Sequence, residues 1–446
     1  MIIPLASIVL SLALGSEPDL DNDWRAAEAW AKENPIEYLR VELETPGGPL
    51  PFIIESTSSV PIDDEVLPRD RQTGFIAFLV NGDERTPVDL KTVGGGYAGS
   101  ARAEIRFVHY DSVIDAMGSG SCITPSILPR HHLGWGTWSK VRGEKTYEMK
   151  LEAVPVRSSN DRFDSVDDAG EPKAFSGRWS VDFDSSDDLA VGTFTVDADQ
   201  IASGTFLTTT GDYRYLAGRV DGDLMRLSTF DGAHAFLFHA VMQDDGTIKG
   251  DFWSGNWYHE TWTAVRDDDA TLPDAFEQTT ITDESALEEL VFKDIEGNPT
   301  RVLDALDATN AKARILEIFG TWCPNCTDAG RELVDLKKTY GDDLGVVSLA
   351  FEIVEDFDRS AKQVERHHAH IGSDWEILIA GLSDKAKATQ TLGFLDRVRS
   401  YPTLVFLNED NEVQAVYSGF SGPATGDAYK EQRLRFEALI DGLIED

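Results

Sequence analysis

The stretch EIFGTWCPNCTDAG, Glu317–Gly330, contains Cys323 and Cys326, two of the three cysteines in a chain of 446 residues. The apolar run RILEIFG precedes the pair, and the run CTDAGRELVDLKKTYG follows it and ends on Gly341. Apolar residues recur at helical spacing in the second run, which predicts a helix that packs one face on a sheet. The pair is therefore expected in a tight loop between a strand and a helix.

The position of each cysteine in this motif predicts its chemistry. Pro324 suits the first helical turn, where its missing N–H costs nothing. Cys323 would then lie at the helix N-terminus, where unpaired N–H groups and the helix dipole stabilise a thiolate. We expect Cys323 to be the attacking sulfur, and Cys326, one turn into the helix, to resolve the mixed disulfide.

Two other roles for the cysteine pair were considered. A zinc site needs three or four ligands, and His367, His368 and His370 belong to a separate predicted helix, for which a solvated helix end is the favoured interpretation. A structural disulfide across so small a ring would constrain the unfolded chain little. A cycling dithiol is favoured over both, with no metal and no cofactor beyond the redox-active Cys323–Cys326 disulfide.

The surrounding sequence strengthens the redox interpretation. RILEIFGTWCPNC, together with the later SYPTLVFLNEDNEV, resembles the thioredoxin superfamily and is most similar to the TlpA/ResA-like exported thiol–disulfide oxidoreductases. The resemblance covers about residues 282–446. It implies that a first cysteine attacks, a second resolves and a cis-proline faces the pair. Those positions are occupied here by Cys323, Cys326 and Pro402.

Three further residues are expected to contact a substrate. Trp322 matches the tryptophan that the family carries beside the nucleophile, Tyr401 precedes the expected cis-proline, and Pro324 lies between the cysteines. The Pro-Asn dipeptide helps set the reduction potential, and thioredoxin-like couples span ~150 mV from reductants to strong oxidants. The resemblance favours a reductase, with an oxidase or an isomerase as alternatives.

Glu317 lies six residues before Cys323 in an otherwise apolar strand. Strand alternation would allow an exposed residue of an edge strand. Thioredoxins, however, carry a buried acid at the matching position, which takes a proton from the resolving cysteine. Burial would raise the pKa of such a carboxyl towards neutrality and suit it to this exchange. We therefore expect a proton relay at Glu317.

The N-terminal sequence predicts export. An apolar run over residues 2–14 precedes a small-residue cleavage site, so residues 1–15 are interpreted as a signal peptide, although the run lacks a lysine or arginine. A short helix is expected over residues 22–34. No later segment is expected to span a membrane. The predicted location is the periplasm or cell envelope of a bacterium, where a redox-active cysteine pair is useful.

Composition restricts the partners. The chain has 40 basic and 79 acidic side chains, a net charge of −39, so nucleic acid and anionic membranes are improbable partners. We expect disulfide-bearing proteins as substrates, an upstream thiol electron donor and a homo-oligomer as one assembly state. Its length predicts a multidomain protein.

Before the thioredoxin-like domain, short alternating runs separated by turn dipeptides predict an antiparallel β region, a sandwich or a barrel with a diverged internal repeat. Its second unit begins with a faintly lipocalin-like Gly-x-Trp. The run LTTTGDYRYLAGRVDGD, Leu207–Asp223, is interpreted as a hairpin. The spacing of Asp212 and Arg214 within it indicates no particular reaction. The expected units are residues 36–156 and 173–267, with a linker at 268–281 before an α/β thioredoxin fold at 282–446.

Other features of the β region leave its role undecided. The aromatic cluster of Trp253, Trp257, Tyr258 and Trp262 predicts either core packing or a platform for a partner. Cys122, the odd cysteine, is expected to be buried and inert. The alternative to an oxidoreductase is therefore a β module that binds a ligand or partner in the cell envelope and carries an accessory redox domain.

Overall fold

The computed structural model describes residues 36–57, 75–95, 100–107, 112–119, 134–142, 144–166, 169–186 and 188–445. The expected signal peptide at 1–15, the short helix at 22–34 and Cys122 lie outside these residues. The described chain forms a large antiparallel β region followed by an α/β domain, which confirms the predicted fold class. Barrels, rather than a sandwich, form the β region.

The first unit is a closed antiparallel barrel, because its first strand pairs with both the second and the eighth. Alternate residues point inward and fill the barrel with apolar side chains such as Leu43, Phe52 and Leu151. Its strands are β1 (Ile36–Thr45), β2 (Gly48–Thr57), β3 (Phe75–Asn81), β4 (Glu84–Gly95), β5 (Ser100–Phe107), β6 (Ser112–Ser119), β7 (Gly134–Arg142) and β8 (Lys145–Val156).

The second unit is a nine-stranded antiparallel sheet that closes on itself, since β10 pairs with both β9 and β11. Aromatic side chains dominate its interior, and Gly250 is required because a Cβ there would lie 2.1 Å from the ring of Trp262. Its strands are β9 (Gly177–Phe183), β10 (Ala190–Val196), β11 (Ile201–Thr208), β12 (Gly211–Asp212), β13 (Leu216–Asp221), β14 (Leu224–Phe230), β15 (Ala235–Met242), β16 (Ile248–Ser254) and β17 (Tyr258–Arg266).

The two barrels share an apolar core. Phe230 of the second barrel stacks on Phe52 of the first, with 4.2 Å between ring centroids. The indole N–H of Trp138 donates to the Gly232 carbonyl at 3.0 Å. Arg162, in the connection between the barrels, is buried and donates to the Pro51 carbonyl at 3.1 Å. Apolar stacking and satisfied buried polar groups hold this pair of units together.

The third unit is a seven-stranded mixed sheet with the order β19-β18-β22-β21-β20-β23-β24. Its strands are β18 (Val291–Lys293), β19 (Pro299–Arg301), β20 (Ala313–Phe319), β21 (Leu344–Glu352), β22 (Glu376–Leu382), β23 (Thr403–Leu407) and β24 (Val413–Ser418). Its helices are α1 (Ser285–Glu288), α2 (Val302–Ala308), α3 (Pro324–Tyr340), α4 (Phe357–Ile371), α5 (Lys385–Leu392) and α6 (Asp427–Glu445). Every residue of β20 and β21 is buried, as expected for central strands covered on both faces.

Local capping sets the ends of these helices. The Asp356 side chain accepts the Arg359 N–H at the start of α4, and Asp384 caps α5 in the same way. Gly372 and Gly393 end the two helices in the left-handed region, with φ of 73° and 68°. No helix among the described residues is long and apolar enough to cross a membrane.

The histidine run on α4 differs from its expected solvated position. His367 is buried, and its ring lies 5.1 Å from that of Phe319. His370 accepts a hydrogen bond from Arg331 at 2.9 Å. The expectation of a solvated helix end is wrong for His367, because α4 packs that face against the central sheet.

Candidate active site

The cysteine pair lies where the central strand β20 passes into helix α3. Cys323 is the N-cap residue of α3, and its sulfur accepts the Cys326 N–H at 3.3 Å. Both thiols are free, with Cys323 5% exposed and Cys326 fully buried. The geometry places the Cys323 sulfur at the N-terminus of the helix, the end that favours negative charge, and Cys326 behind it in the first turn.

A cis-proline loop faces the pair. The Tyr401–Pro402 peptide bond is cis, in agreement with the expectation for Pro402. The Cys323 thiol lies 3.4 Å from the Tyr401 carbonyl oxygen, to which it donates. The Trp322 ring meets the Tyr401 ring edge-on at 5.7 Å, and its indole N–H donates to the Phe351 carbonyl at 2.9 Å. The fold thus brings together residues that are far apart in sequence.

Glu317 is buried in β20 beneath the cysteine pair, with 1% of its surface exposed. Its Oε2 accepts the Ser348 hydroxyl at 2.6 Å, and Ser348 in turn accepts the Trp375 indole N–H at 2.8 Å. Its Oε1 has no partner among the described residues. Burial raises the pKa of Glu317 to about 7, against the smaller lowering effect of the Ser348 bond. The exposed-edge alternative is wrong, because β20 lies between β21 and β23.

The Cys326 thiol is held in its neutral form. The pKa of Cys326 lies well above its ordinary value, first because of burial and then because of the hydrogen bond and charge of Cys323. The charge of Glu317 contributes in the same direction, so the two groups are electrostatically coupled. A neutral Cys326 thiol beside a carboxyl that titrates near neutrality is an arrangement for proton transfer.

Sequence reasoning missed Glu352 and Lys385. The Thr321 N–H and hydroxyl both donate to the Glu352 carboxyl at 2.9 Å, which holds the turn before Trp322. Burial raises the pKa of Glu352 to about 7. Burial lowers the pKa of Lys385, and the electrostatic effect of Cys323 opposes that change. The lone acid in the run GVVSLAFEI was the available signal for Glu352.

A segment of the second barrel also reaches the site. Nη1 of Arg214 lies 3.1 Å from the Pro324 carbonyl oxygen and 3.2 Å from the Asp328 carboxylate. The Asp212 carboxylate accepts the Gly422 N–H at 2.5 Å. Short-range sequence patterns carry no signal of a contact between residues more than a hundred positions apart.

The predicted aromatic cluster is divided between two environments. Trp262 is core, and Trp253 stacks on His259 at 5.0 Å. Trp257 and the partly exposed Tyr258 instead line a cavity of about 500 Å³. The complete lining is Tyr147, Tyr213, Phe236, Phe252, Ser254, Trp257 and Tyr258. Within the part of the chain that the structure describes, no group of three or more His, Cys, Asp or Glu residues is placed to hold a metal ion.

A central strand leading to a dithiol at a helix N-terminus, opposed by a cis-proline, defines a thioredoxin-like domain in the C-terminal part of the chain. No family model matches the chain. Thioredoxin-like protein YneN of Bacillus subtilis (strain 168) is 27% identical over 128 residues, which are 29% of this chain and 66% of that protein. The chain therefore spans about two thirds of the length of this curated relative.

Solved structures of similar domains cover somewhat more than a third of the chain. A secreted Mycobacterium tuberculosis disulfide oxidoreductase homologous to E. coli DsbE is 14% identical, with a TM-score of 0.26, over 34% of this chain and 99% of that one. A DsbF homologue from Corynebacterium diphtheriae is 18% identical, with a TM-score of 0.27, over 39% of this chain and 97% of that one.

Proposed function

We propose that the protein is an exported thiol–disulfide oxidoreductase of the TlpA-like type that reduces disulfides of partner proteins. The observation that supports this most strongly is the reduced Cys323–Cys326 pair, placed between the cis-peptide at Pro402 and the buried carboxyl of Glu317. Export to the cell envelope rests on the apolar leader at residues 1–15, and the reductase direction rests on the resemblance to TlpA/ResA-like proteins.

The reaction proceeds in two exchanges. The Cys323 thiolate attacks one sulfur of the substrate disulfide, a Cys323–substrate disulfide forms, and the other substrate sulfur leaves as a thiolate. Cys326 then transfers its proton to Glu317 and attacks Cys323. The Cys323–Cys326 disulfide forms and the second substrate thiolate leaves. Two electrons pass to the substrate, and an upstream dithiol donor returns two electrons to the pair.

The three expected substrate-contact residues surround the nucleophile in different ways. Trp322 is partly buried, and Pro324 is partly exposed with its carbonyl bonded to Arg214. The side chain of Tyr401 is buried between the rings of Trp322 and Phe351. In the proposed complex the backbone on either side of the Tyr401–Pro402 bond, rather than the phenol, faces the bound polypeptide.

The reduction potential of the Cys323–Cys326 pair tests the direction of electron flow. Equilibration with glutathione or dithiothreitol buffers is expected to give a value near ~−270 mV, as for a thioredoxin-type reductase. The reduced protein should also precipitate insulin by cleaving its disulfides. A value near ~−120 mV would instead indicate an oxidant, and a pair that dithiothreitol cannot cycle would contradict the redox function altogether.

A second candidate function is supported by the aromatic cavity. Six of its seven lining residues are aromatic, and its volume of about 500 Å³ lies within the usual range for small-molecule sites. In this alternative the β region binds a small apolar molecule and the redox domain is accessory to it.

The neutral fluorescent probe N-phenyl-1-naphthylamine tests this alternative. We expect it to bind the wild-type protein, and Trp257→Ala to weaken binding at least about fivefold by removing one aromatic wall. Trp253→Ala is the matched control, because Trp253 packs on His259 and does not line the cavity. Equal affinities of the two variants would contradict binding at this cavity.

A further inference from the structure

We infer that residues 208–214 of the second barrel form an autoinhibitory cover over the Cys323–Cys326 pair, which a protein substrate must displace. This inference rests on the proposed oxidoreductase function and concerns the regulation of the same site. The cover consists of the end of β11, the turn at Thr209 and Thr210, strand β12 and the residues up to Arg214.

The first contact of the cover is made by Arg214. Its Nη1 bonds the Pro324 carbonyl, between the two cysteines, at 3.1 Å and pairs with Asp328 of helix α3 at 3.2 Å. Its Nη2 pairs with Glu84 of the first barrel. Arg214 is buried and has a φ of 58°, a conformation that residues other than glycine rarely adopt. Contacts with the surrounding structure maintain this strained backbone conformation, which places the Arg214 guanidinium on the turn between the cysteines.

The second contact is backbone packing on the dipeptide between the cysteines. A Cβ on Gly211 would lie 1.9 Å from Nδ2 of Asn325, so the main chain of the cover rests directly on this side chain. Only glycine allows this approach, since its φ of 153° also disfavours other residues.

The third contact reaches the loops on the other side of the nucleophile. Asp212 accepts the Gly422 N–H at 2.5 Å. Arg399, three residues before the cis-proline, donates to Thr209 at 3.0 Å and to Asp188 at 2.8 Å. The loop at Gly422 and the segment before the cis-proline are therefore both bonded to the second barrel. A partner polypeptide that brings a sulfur to Cys323 must pass between these same loops.

The interface is polar enough to open. Asp212 and Asp328 are both buried beside Arg214, and burial raises the pKa of both carboxyls. The buried Oδ1 of Asn325, the residue on which Gly211 packs, has no partner among the described residues. Unpaired buried atoms and desolvated charges destabilise a contact, whereas the two barrels share an apolar core. Polar interfaces between domains of one chain commonly permit relative motion.

A small apolar cluster among the described residues joins the second barrel to the thioredoxin-like domain. Val191, Leu207 and Ala270 pack together there with Leu272 and Ala428. This cluster lets the barrel stay attached at one edge while the cover lifts from the cysteine pair.

Gly211→Ala and Arg214→Ala test the cover in the full-length chain. Both are expected to increase the alkylation rate of Cys323 by iodoacetamide, and the rate of insulin reduction, by about tenfold. The alanine methyl would collide with Asn325. Loss of the guanidinium would leave Glu84 without this cation and Asp328 paired with Arg331 alone.

Matched controls separate release of the cover from general loosening of the barrel. Gly246→Ala also places an alanine at a positive φ, here 83°, but where a Cβ meets no atom within 4 Å. Arg219→Ala removes a guanidinium that pairs with Asp221 inside the barrel. Neither should change the two rates by more than about twofold. Asp188→Asn, at an exposed site bonded to Arg399, is a third variant that folding should tolerate, with an expected gain of about threefold.

The outcomes distinguish this inference from the proposed function. The inference of a cover is overturned if wild-type and variant rates agree within twofold on both readouts while the protein still reduces insulin. The proposed oxidoreductase function would then stand. If neither wild-type nor variant protein reduces insulin or the small disulfide 5,5′-dithiobis(2-nitrobenzoate), the proposed function itself fails.

Discussion

Cys323→Ser is expected to lower the rate of protein disulfide reduction by at least about three orders of magnitude, because the hydroxyl that replaces the thiolate cannot form a mixed disulfide. Cys326→Ser keeps the nucleophile and loses the resolving sulfur. It should therefore accumulate a covalent complex between Cys323 and its substrate. Single-turnover reduction of insulin, followed by non-reducing electrophoresis, measures both effects.

The third cysteine supplies the matched control. Cys122→Ser should retain wild-type rates, since Cys122 has no place in the two exchanges. Trapping by Cys323→Ser in place of Cys326→Ser would show that the roles of the two sulfurs are reversed. Full activity of both variants would contradict any role for the pair.

Glu317→Gln is expected to slow resolution of the mixed disulfide by about a hundredfold near pH 8, within the usual contribution of a general base. The buried Cys326 thiol has a raised pKa and must lose its proton before it attacks. In the wild-type protein, the resolution rate should fall as the pH falls through about 7, because Glu317 then becomes protonated. This fall in the resolution rate near pH 7 should be absent from the glutamine variant. Quenched-flow measurements on a preformed mixed disulfide give the rate.

The same titration affects stability. The pKa of Glu317 is raised by burial from 4.5 to about 7 in the folded protein. The neutral Glu317 carboxyl therefore contributes folding stability that is fully present below about pH 4.5 and is lost as the pH rises through about 7. The free energy of unfolding of Glu317→Gln, relative to wild type, should therefore rise by about 3 kcal/mol between pH 4 and pH 8. Urea denaturation at several pH values measures it.

Glu352→Gln is the control for both Glu317 measurements. Glu352 is also buried with a pKa raised to about 7, yet it bonds Thr321 and not the cysteines. Its glutamine variant should show a similar change of stability with pH. Its resolution rate should still fall as the pH falls through about 7. Equal effects of the two variants on resolution would mean that Glu317 acts through general electrostatics and not as the proton acceptor.

Local sequence was sufficient to predict the thioredoxin-like domain. The run RILEIFG is mostly apolar, as a central strand requires, and Pro324 with Gly341 marks the helix that follows. The partner of this motif, Pro402, was identified because the resemblance extends to SYPTLVF. In the β region, turn dipeptides and alternation predicted antiparallel strands, but barrel closure depends on pairing β1 with β8, residues far apart in the chain.

The candidate site was only partly visible in the sequence. Cys323, Cys326, Glu317 and Pro402 belong to short motifs with recognisable spacing. Arg214, which bonds the turn between the cysteines, belongs to a hairpin with ordinary composition. Its strained conformation and its partner on α3 arise only when the second barrel lies against the thioredoxin-like domain.

The sequence by itself determined the strand–loop–helix around the dithiol, because hydrophobic periodicity, proline and glycine act over a few residues. It also determined which sulfur lies at the helix N-terminus. The sequence left Glu317 either exposed on an edge strand or buried, and the tertiary structure decided for burial in a central strand, where loss of water raises its pKa to about 7. The tertiary structure alone placed Gly211 and Arg214 against Pro324 and Asn325, between the cysteines, because contacts between distant segments depend on how completed domains pack, which local patterns do not encode.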